Sequence, residues 1–150
     1  LLNEQGHAQA AIYRQQSIIA THKALDLNPY DPKMNQSLMQ NLAPLGDLDG
    51  IIRTGELLIK TLPNDPKSYY KVAQLWWDAS QTCEKNDQHE MAIKFAGKII
   101  ELDKILRLQI SRVNIDHPFW QGEKLMVTPE FEVIFNQAQE FLATNKASDK

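Results

Sequence analysis

At 150 residues, 43% of them hydrophobic and 23% charged, the chain has the length and composition of one ordinary globular domain with a core to bury. A net charge of -3 supplies no cationic field for a phosphate backbone, which makes nucleic acid a poor partner. The longest apolar runs, such as Ile18-Ile19-Ala20 and Ile99-Ile100, stop far short of the roughly 20 residues that cross a bilayer.

Leu1-Leu2-Asn3-Glu4 has neither the basic nor the apolar region of a signal peptide, and a start at Leu without Met reads as a piece cut from a longer polypeptide. From Gly6 to Asn28, Ala11, Ile18 and Leu25, flanked by Ala8, Ile12 and Ile19, predict one amphipathic helix. Pro29 ends it, because proline lacks the N–H and biases Asn28 away from the α region. Asp31 is then an N-cap with Pro32 in the first turn, opening a helix that carries Met34, Leu38 and Leu42. Ala43-Pro44-Leu45-Gly46-Asp47 breaks this helix; Gly46 is free to take positive φ, and Asp47 or Asp49 caps the second helix of the hairpin.

That second helix runs to about Thr61 with Ile51, Ile52, Leu58, Ile59 and Leu62 on one stripe, and Gly55 marks a close helix approach. Asp65-Pro66 repeats the earlier cap and opens a helix with Tyr69, Val72, Ala73, Trp76 and Ser80. The polar stretch Gln81 to Asp87 reads as an insertion on the surface. From Gln88 to Val113 a long helix carries Met91, Ala92, Phe95, Ile99, Leu102, Leu106 and Ile110. Asn114 to Thr128, with Asp116-His117-Pro118 and Gly122, reads as a loop that packs Phe119, Trp120, Leu125 and Val127. Thr128-Pro129-Glu130 then caps a closing helix over 129–143 with Phe131, Ile134, Phe135, Ala138, Phe141 and Leu142, leaving 144–150 as a polar tail.

A ruler runs through this order. Pro29 to Pro63 and Pro32 to Pro66 are both steps of 34 residues, and Leu27-Asn28-Pro29-Tyr30-Asp31-Pro32-Lys33 returns as Leu62-Pro63-Asn64-Asp65-Pro66-Lys67. A period of 34 with prolines at helix junctions resembles the tetratricopeptide repeat. With Pro29 and Pro63 at the late proline of that pattern, Leu38, Leu42, Ile51 and Leu58 fall on the packing positions of one repeat, and Val72, Ala73, Trp76, Ala92 and Ile99 on those of the next. Met39 and Gly55 depart from the pattern, and the step from Leu58 to Ile99 is 41 residues, seven longer than the period. The resemblance covers residues 6 to about 104 and implies an all-α, right-handed superhelix of helix hairpins. On this reading 1–150 form a single domain, with repeats over 6–113, a loop over 114–128 and the capping helix after it.

The resemblance also implies where a ligand would lie, since the first helix of each hairpin lines a concave groove in tetratricopeptide domains. Carried over, that groove receives Lys33, Gln36 and Gln40, with Ser37 and Ala43, from one helix and Lys67, Tyr70, Lys71, Gln74 and Trp77 from the next. Lys67 and Lys71 resemble the basic pair of the carboxylate clamp in chaperone-binding members, although Gln36 and Gln40 stand where Lys and Asn are expected and Ser37 carries no charge. Two lysines one turn apart beside Tyr70 and Trp77 suit a protein or peptide partner with an acidic segment. Trp77 has a second reading, in which it packs with Trp76 against the insertion or the next helix.

A narrower resemblance joins the Leu27–Lys33 junction, Arg107 to Asn114 and Lys124-Leu125-Met126-Val127-Thr128-Pro129-Glu130 to the C-terminal helical repeat region of bacterial O-antigen ligase or polymerase-like membrane proteins. It implies a soluble extramembrane domain of a protein engaged in cell-surface polysaccharide assembly, tethered to a membrane upstream. Neither reading gives this chain catalysis or a cofactor. His7, His22, His89 and His117 share no helical spacing that would gather metal ligands, and no phosphate loop or nucleophile elbow occurs. Cys83, the only cysteine, excludes an internal disulfide and reads as a small apolar helix residue. The compartment is left undecided by the sequence.

Overall fold

The computed structural model describes residues 2–43, 46–113 and 125–148. It is all-α: α1 (Leu2–Leu27), α2 (Pro32–Leu42), α3 (Leu48–Thr61), α4 (Pro66–Lys85), α5 (His89–Val113) and α6 (Pro129–Ser148). The described residues contain no strand. The chain divides into two compact units, 1–61 and 62–150.

In the first unit α2 packs against both α1 and α3. Asp31 caps α2 by accepting from the N–H groups of Lys33 at 2.9 Å and Met34 at 3.0 Å, and Pro32 occupies the first turn. Leu38, Met39 and Leu42 are buried on α2, as are Ile51, Ile52, Leu58 and Ile59 on α3. Gly46 takes a φ of +70°, and the Asp47 carboxylate accepts from the Gly50 N–H at 3.0 Å, closing the first turn of α3. Pro44 and Leu45 of the expected turn lie outside the described residues.

The stripe expected on α1 is corrected. Among its described side chains the buried one is Thr21, with Ser17, Ile18 and Leu25 half-buried beside it, while Ala11, Ile12 and Ile19 are exposed. Thr21 satisfies its hydroxyl by donating to the Ser17 carbonyl at 2.7 Å, and the Asn41 amide of α2 donates to Ser17 Oγ at 3.3 Å. With isoleucines on two neighbouring stripes, the face that meets α2 is the one carrying these small polar groups, and Asn41 bonds Ser17 across that contact.

The second unit is built on α4 and α5. Ser80 Oγ donates to the Ala92 carbonyl at 2.8 Å, and the Gln109 amide donates to Asn64 Oδ1 at 2.7 Å. Both pairs sit almost symmetrically about Asn86-Asp87, so α5 runs back antiparallel along the whole of α4. Between the helices lie Tyr69, Val72, Ala73, Trp76, Ala92, Phe95, Ala96 and Ile99, all buried. Here the expectation for Gln81 to Asp87 needs correcting: α4 continues through Lys85, and Ser80 and Cys83 are buried on its inner face. The turn comes only after that. The N–H of Gln88 donates to the Cys83 carbonyl at 2.8 Å and that of Asp87 to the Glu84 carbonyl at 3.3 Å, with Asp87 at a φ of 58°. These bonds make a Schellman closure with Asp87 in the left-handed position.

α6 packs on both α4 and α5. Thr128 Oγ1 accepts from the Phe131 N–H at 3.2 Å, and Phe131, Ile134 and Ala138 are buried. The helix does not end at 143. It runs on to Ser148, with Thr144 and Asn145 donating side-chain bonds to the carbonyls of Glu140 and Phe141. Leu125 is buried and Val127 half-buried, whereas Phe119, Trp120 and His117 of the expected loop lie outside the described residues.

The step of 34 reappears in the hydrogen bonds. Asn35 Nδ2 donates to the Pro29 carbonyl at 3.0 Å, and 34 residues later Tyr69 Oη donates to the Pro63 carbonyl at 2.7 Å. The backbone does the same: Asp31 N–H bonds the Asn28 carbonyl at 3.2 Å and Asp65 N–H the Leu62 carbonyl at 3.3 Å. The caps match too, with Asp65 accepting from the Lys67 N–H at 3.1 Å. Each junction thus has its proline carbonyl held by a buried side chain reaching back from the helix after it.

Burial pushes the Tyr69 phenol up to about 12. The folded chain therefore disfavours the phenolate relative to an unfolded tyrosine near 10, and stability should be complete below about pH 10 and fall as pH rises toward 12. Tyr69→Phe is expected to remove that component of alkaline unfolding and, at neutral pH, to cost about 1 kcal/mol for the lost bond to Pro63. Urea unfolding at neutral and alkaline pH, with the phenolate followed by absorbance, measures both.

Candidate functional site

The residues expected to form a groove lie on one helix of each unit. Lys33, Gln36 and Gln40 are on α2 and Lys67, Tyr70, Lys71, Gln74 and Trp77 on α4. Spacings of three, four and seven put the α4 set on one side of that helix, away from the Tyr69, Val72, Ala73 and Trp76 stripe buried against α5. Lys67 and Lys71 are exposed, and Tyr70 and Gln74 half-buried. The Gln74 amide donates to the Asp78 carboxylate at 3.1 Å. Asp65, by contrast, faces the backbone, holding the Lys67 N–H and the Ser68 hydroxyl.

The two tryptophans of α4 part company. Trp76 is 2% exposed and belongs to the core. Trp77 is half-buried and meets Phe141 of α6 edge-on, with ring centroids 6.1 Å apart and an interplanar angle of 81°. α4 therefore carries a basic end at Lys67 and Lys71 and an aromatic end at Trp77 that α6 already contacts. Nothing in the sequence near Trp77 identifies Phe141, which lies 64 residues away.

The second unit also holds a charged cluster, joining α5 to α6, that sequence reading passes over. Asp103 is buried, and Arg107 Nε donates to both its carboxylate oxygens at 3.0 Å. Arg107 also reaches Glu132 of α6 at 3.3 Å and lies 6.0 Å over the Phe135 ring. The Asp103 hydrogen bond and charge, then Glu132, raise the guanidinium further above its ordinary value. An acid and a base at i and i+4 gave the only advance signal of this pair.

Chemistry-bearing groups elsewhere are scattered. Among the described residues, no group of three His, Cys, Asp or Glu side chains could hold a metal ion. His89 Nδ1 sits 2.8 Å from Glu84 across the α4–α5 turn, and that hydrogen bond and charge raise the imidazole above its usual value. Burial pushes the Cys83 thiol up, disfavouring the thiolate. A cleft of about 610 Å³ between α5 and α6, with Ile100, Gln139, Leu142 and Lys146 in its lining, is open to solvent. No described helix is long and apolar enough to cross a membrane. The chain matches no known protein-family model, no curated protein and no solved structure.

Proposed function

We propose that the chain is a non-catalytic helical repeat scaffold of the tetratricopeptide type, which holds a protein or peptide partner on the first helix of a hairpin, the helix that lines the concave face in tetratricopeptide domains. One observation carries this reading: the period of 34 governs hydrogen bonding as well as residue type, since Asn35 and Tyr69 bind the carbonyls of Pro29 and Pro63. A repeated junction of this kind fixes the phase of the helix after it, so α2 and α4 each present the same register of side chains within their own unit. The position of α6 also supports it, because α6 rests on both helices of the preceding hairpin as the first helix of a further repeat would.

The partner contacts in this reading are Lys67, Tyr70, Lys71 and Gln74 on α4 of the second unit, and Lys33, Gln36 and Gln40 on α2 are the corresponding set of the first unit. Trp77 contributes through its edge contact with Phe141 rather than as an open aromatic platform. The ligand is then an acidic segment held by two lysines, and its affinity should be strongly salt-dependent. Titrating the chain with a display-selected acidic peptide by calorimetry tests this. Lys67→Glu with Lys71→Glu is expected to weaken binding at least about tenfold through like-charge repulsion, with the helix content unchanged. Undiminished binding in that variant would remove α4 as the site.

A further inference from the structure

α5 has a second face that the scaffold reading leaves unused. Leu102, Asp103 and Leu106 point into the unit, while Lys104, Ile105, Leu108 and Arg112 are exposed on the other side of the helix, Ile105 at 50% and Leu108 at 52%. From Lys104 to Val113 the sequence has three basic residues and no acidic one, within a chain whose net charge is -3. The nearby carboxylates are paired: Asp103 and Glu132 share the one charge of Arg107, leaving a single negative charge beside the stripe, and Glu101 is balanced by Lys98 at 3.1 Å. Arg107 is committed to those partners. Lys104 and Arg112 are the other cations of this stripe, with the two aliphatic side chains between them in sequence.

We propose that this stripe docks the protein on an anionic lipid surface. A convex helix bearing Ile and Leu flanked by Lys and Arg, with no aromatic anchor on its exposed side, is matched to a plane more than to a cleft. The aliphatic side chains enter the headgroup boundary, and the cations meet lipid phosphates beside them. A protein hot spot would instead call for a large anchor seated in a pocket. The charge complementarity is local, since the rest of the chain is acidic and would be repelled, which orients the molecule with α5 toward the bilayer. Lys67 and Lys71 lie on α4, so this proposal does not depend on the peptide-binding reading.

The test is sedimentation of the full chain with vesicles of equal parts phosphatidylcholine and phosphatidylglycerol, and with vesicles of phosphatidylcholine alone. Binding to the mixed vesicles only is expected, falling as salt is raised. Lys104→Glu with Arg112→Glu should reduce it by about tenfold or more, as should Ile105→Asn with Leu108→Asn, and both pairs should keep native helix content because all four side chains are exposed. The Lys67→Glu, Lys71→Glu variant should bind vesicles as the unaltered chain does, which separates failure of this proposal from failure of the α4 site. Equal binding to neutral vesicles, no binding at all, or indifference to the α5 variants would overturn it. So would capture of soluble polyglutamate in preference to vesicles through the same four residues, which would make the stripe a seat for an acidic polypeptide.

Discussion

Trp76→Ala is expected to cost about 3–5 kcal/mol, the largest single loss in the chain. Its indole is 2% exposed in the middle of the α4–α5 interface, among Val72, Ala73 and Phe95, none of which is measurably exposed. Truncation removes the largest apolar side chain of that core and leaves a cavity the helices cannot close, since Ser80 and Asn64 tie the hairpin to α5 on either side. Trp77→Ala provides the contrast. That ring is half-buried and contacts Phe141 at its edge, so its loss should cost about 1–2 kcal/mol. Urea denaturation of the two variants measures the difference, and equal losses would mean that Trp76 is not the centre of the unit.

Phe131→Ala is the second large effect, again about 3–5 kcal/mol, but its signature should be local. Phe131 is fully buried at the start of α6, and with Ile134 and Ala138 it makes up the helix's buried face. Thr128 and Pro129 set the first turn and Arg107 holds Glu132 one residue on, yet an exposed ion pair of this kind contributes little by itself. Without the phenyl ring α6 should open before α4 and α5 do. Amide hydrogen exchange should then show protection falling across Pro129–Ser148 while the α4–α5 amides keep theirs. Val133→Ala, on the exposed side of the same helix, should stay within about 0.5 kcal/mol of the parent.

The helix boundaries were legible wherever proline and a capping residue spoke together. Asp31-Pro32, Asp65-Pro66 and Thr128-Pro129 each start a helix in the structure within a residue of the expected place. Composition was the misleading guide. Gln81 to Asp87 is polar enough to suggest an excursion, but Trp76, Ser80 and Cys83 keep the helical spacing of three and four, and that period outweighs the polarity of the residues between them. Similarly, 144–148 looked like a tail because it lacks large apolar residues; the side chains of Thr144 and Asn145 bond back to helix carbonyls and the helix carries on. On α1 two isoleucine stripes compete, and the face that meets α2 carries Ser17 and Thr21, groups whose importance depends on the helix opposite.

The candidate site was readable only along single helices. Spacing alone puts Lys67, Tyr70, Lys71, Gln74 and Trp77 on one side of α4. It does not tell that Phe141 would arrive at the far end of that side, because the contact spans most of the second unit's sequence. Nor does a list of apolar positions reveal Asn35, a polar residue 1% exposed with its amide shared between the carbonyls of Pro29 and Asp31. The offset of 34 from Tyr69 pointed to it all along, once polar atoms are counted with the same ruler as prolines.

That junction has a consequence for how such a chain can change over generations. Its fixed partner is a main-chain oxygen, which no substitution alters, and the donor need only reach it: an amide does so in one place and a phenol in the other. Selection on the junction therefore constrains length and hydrogen-bonding capacity rather than identity. Neighbouring units can drift apart in letters while their helices stay in step, and kinship among such chains would be recorded in the spacing of donors and acceptors.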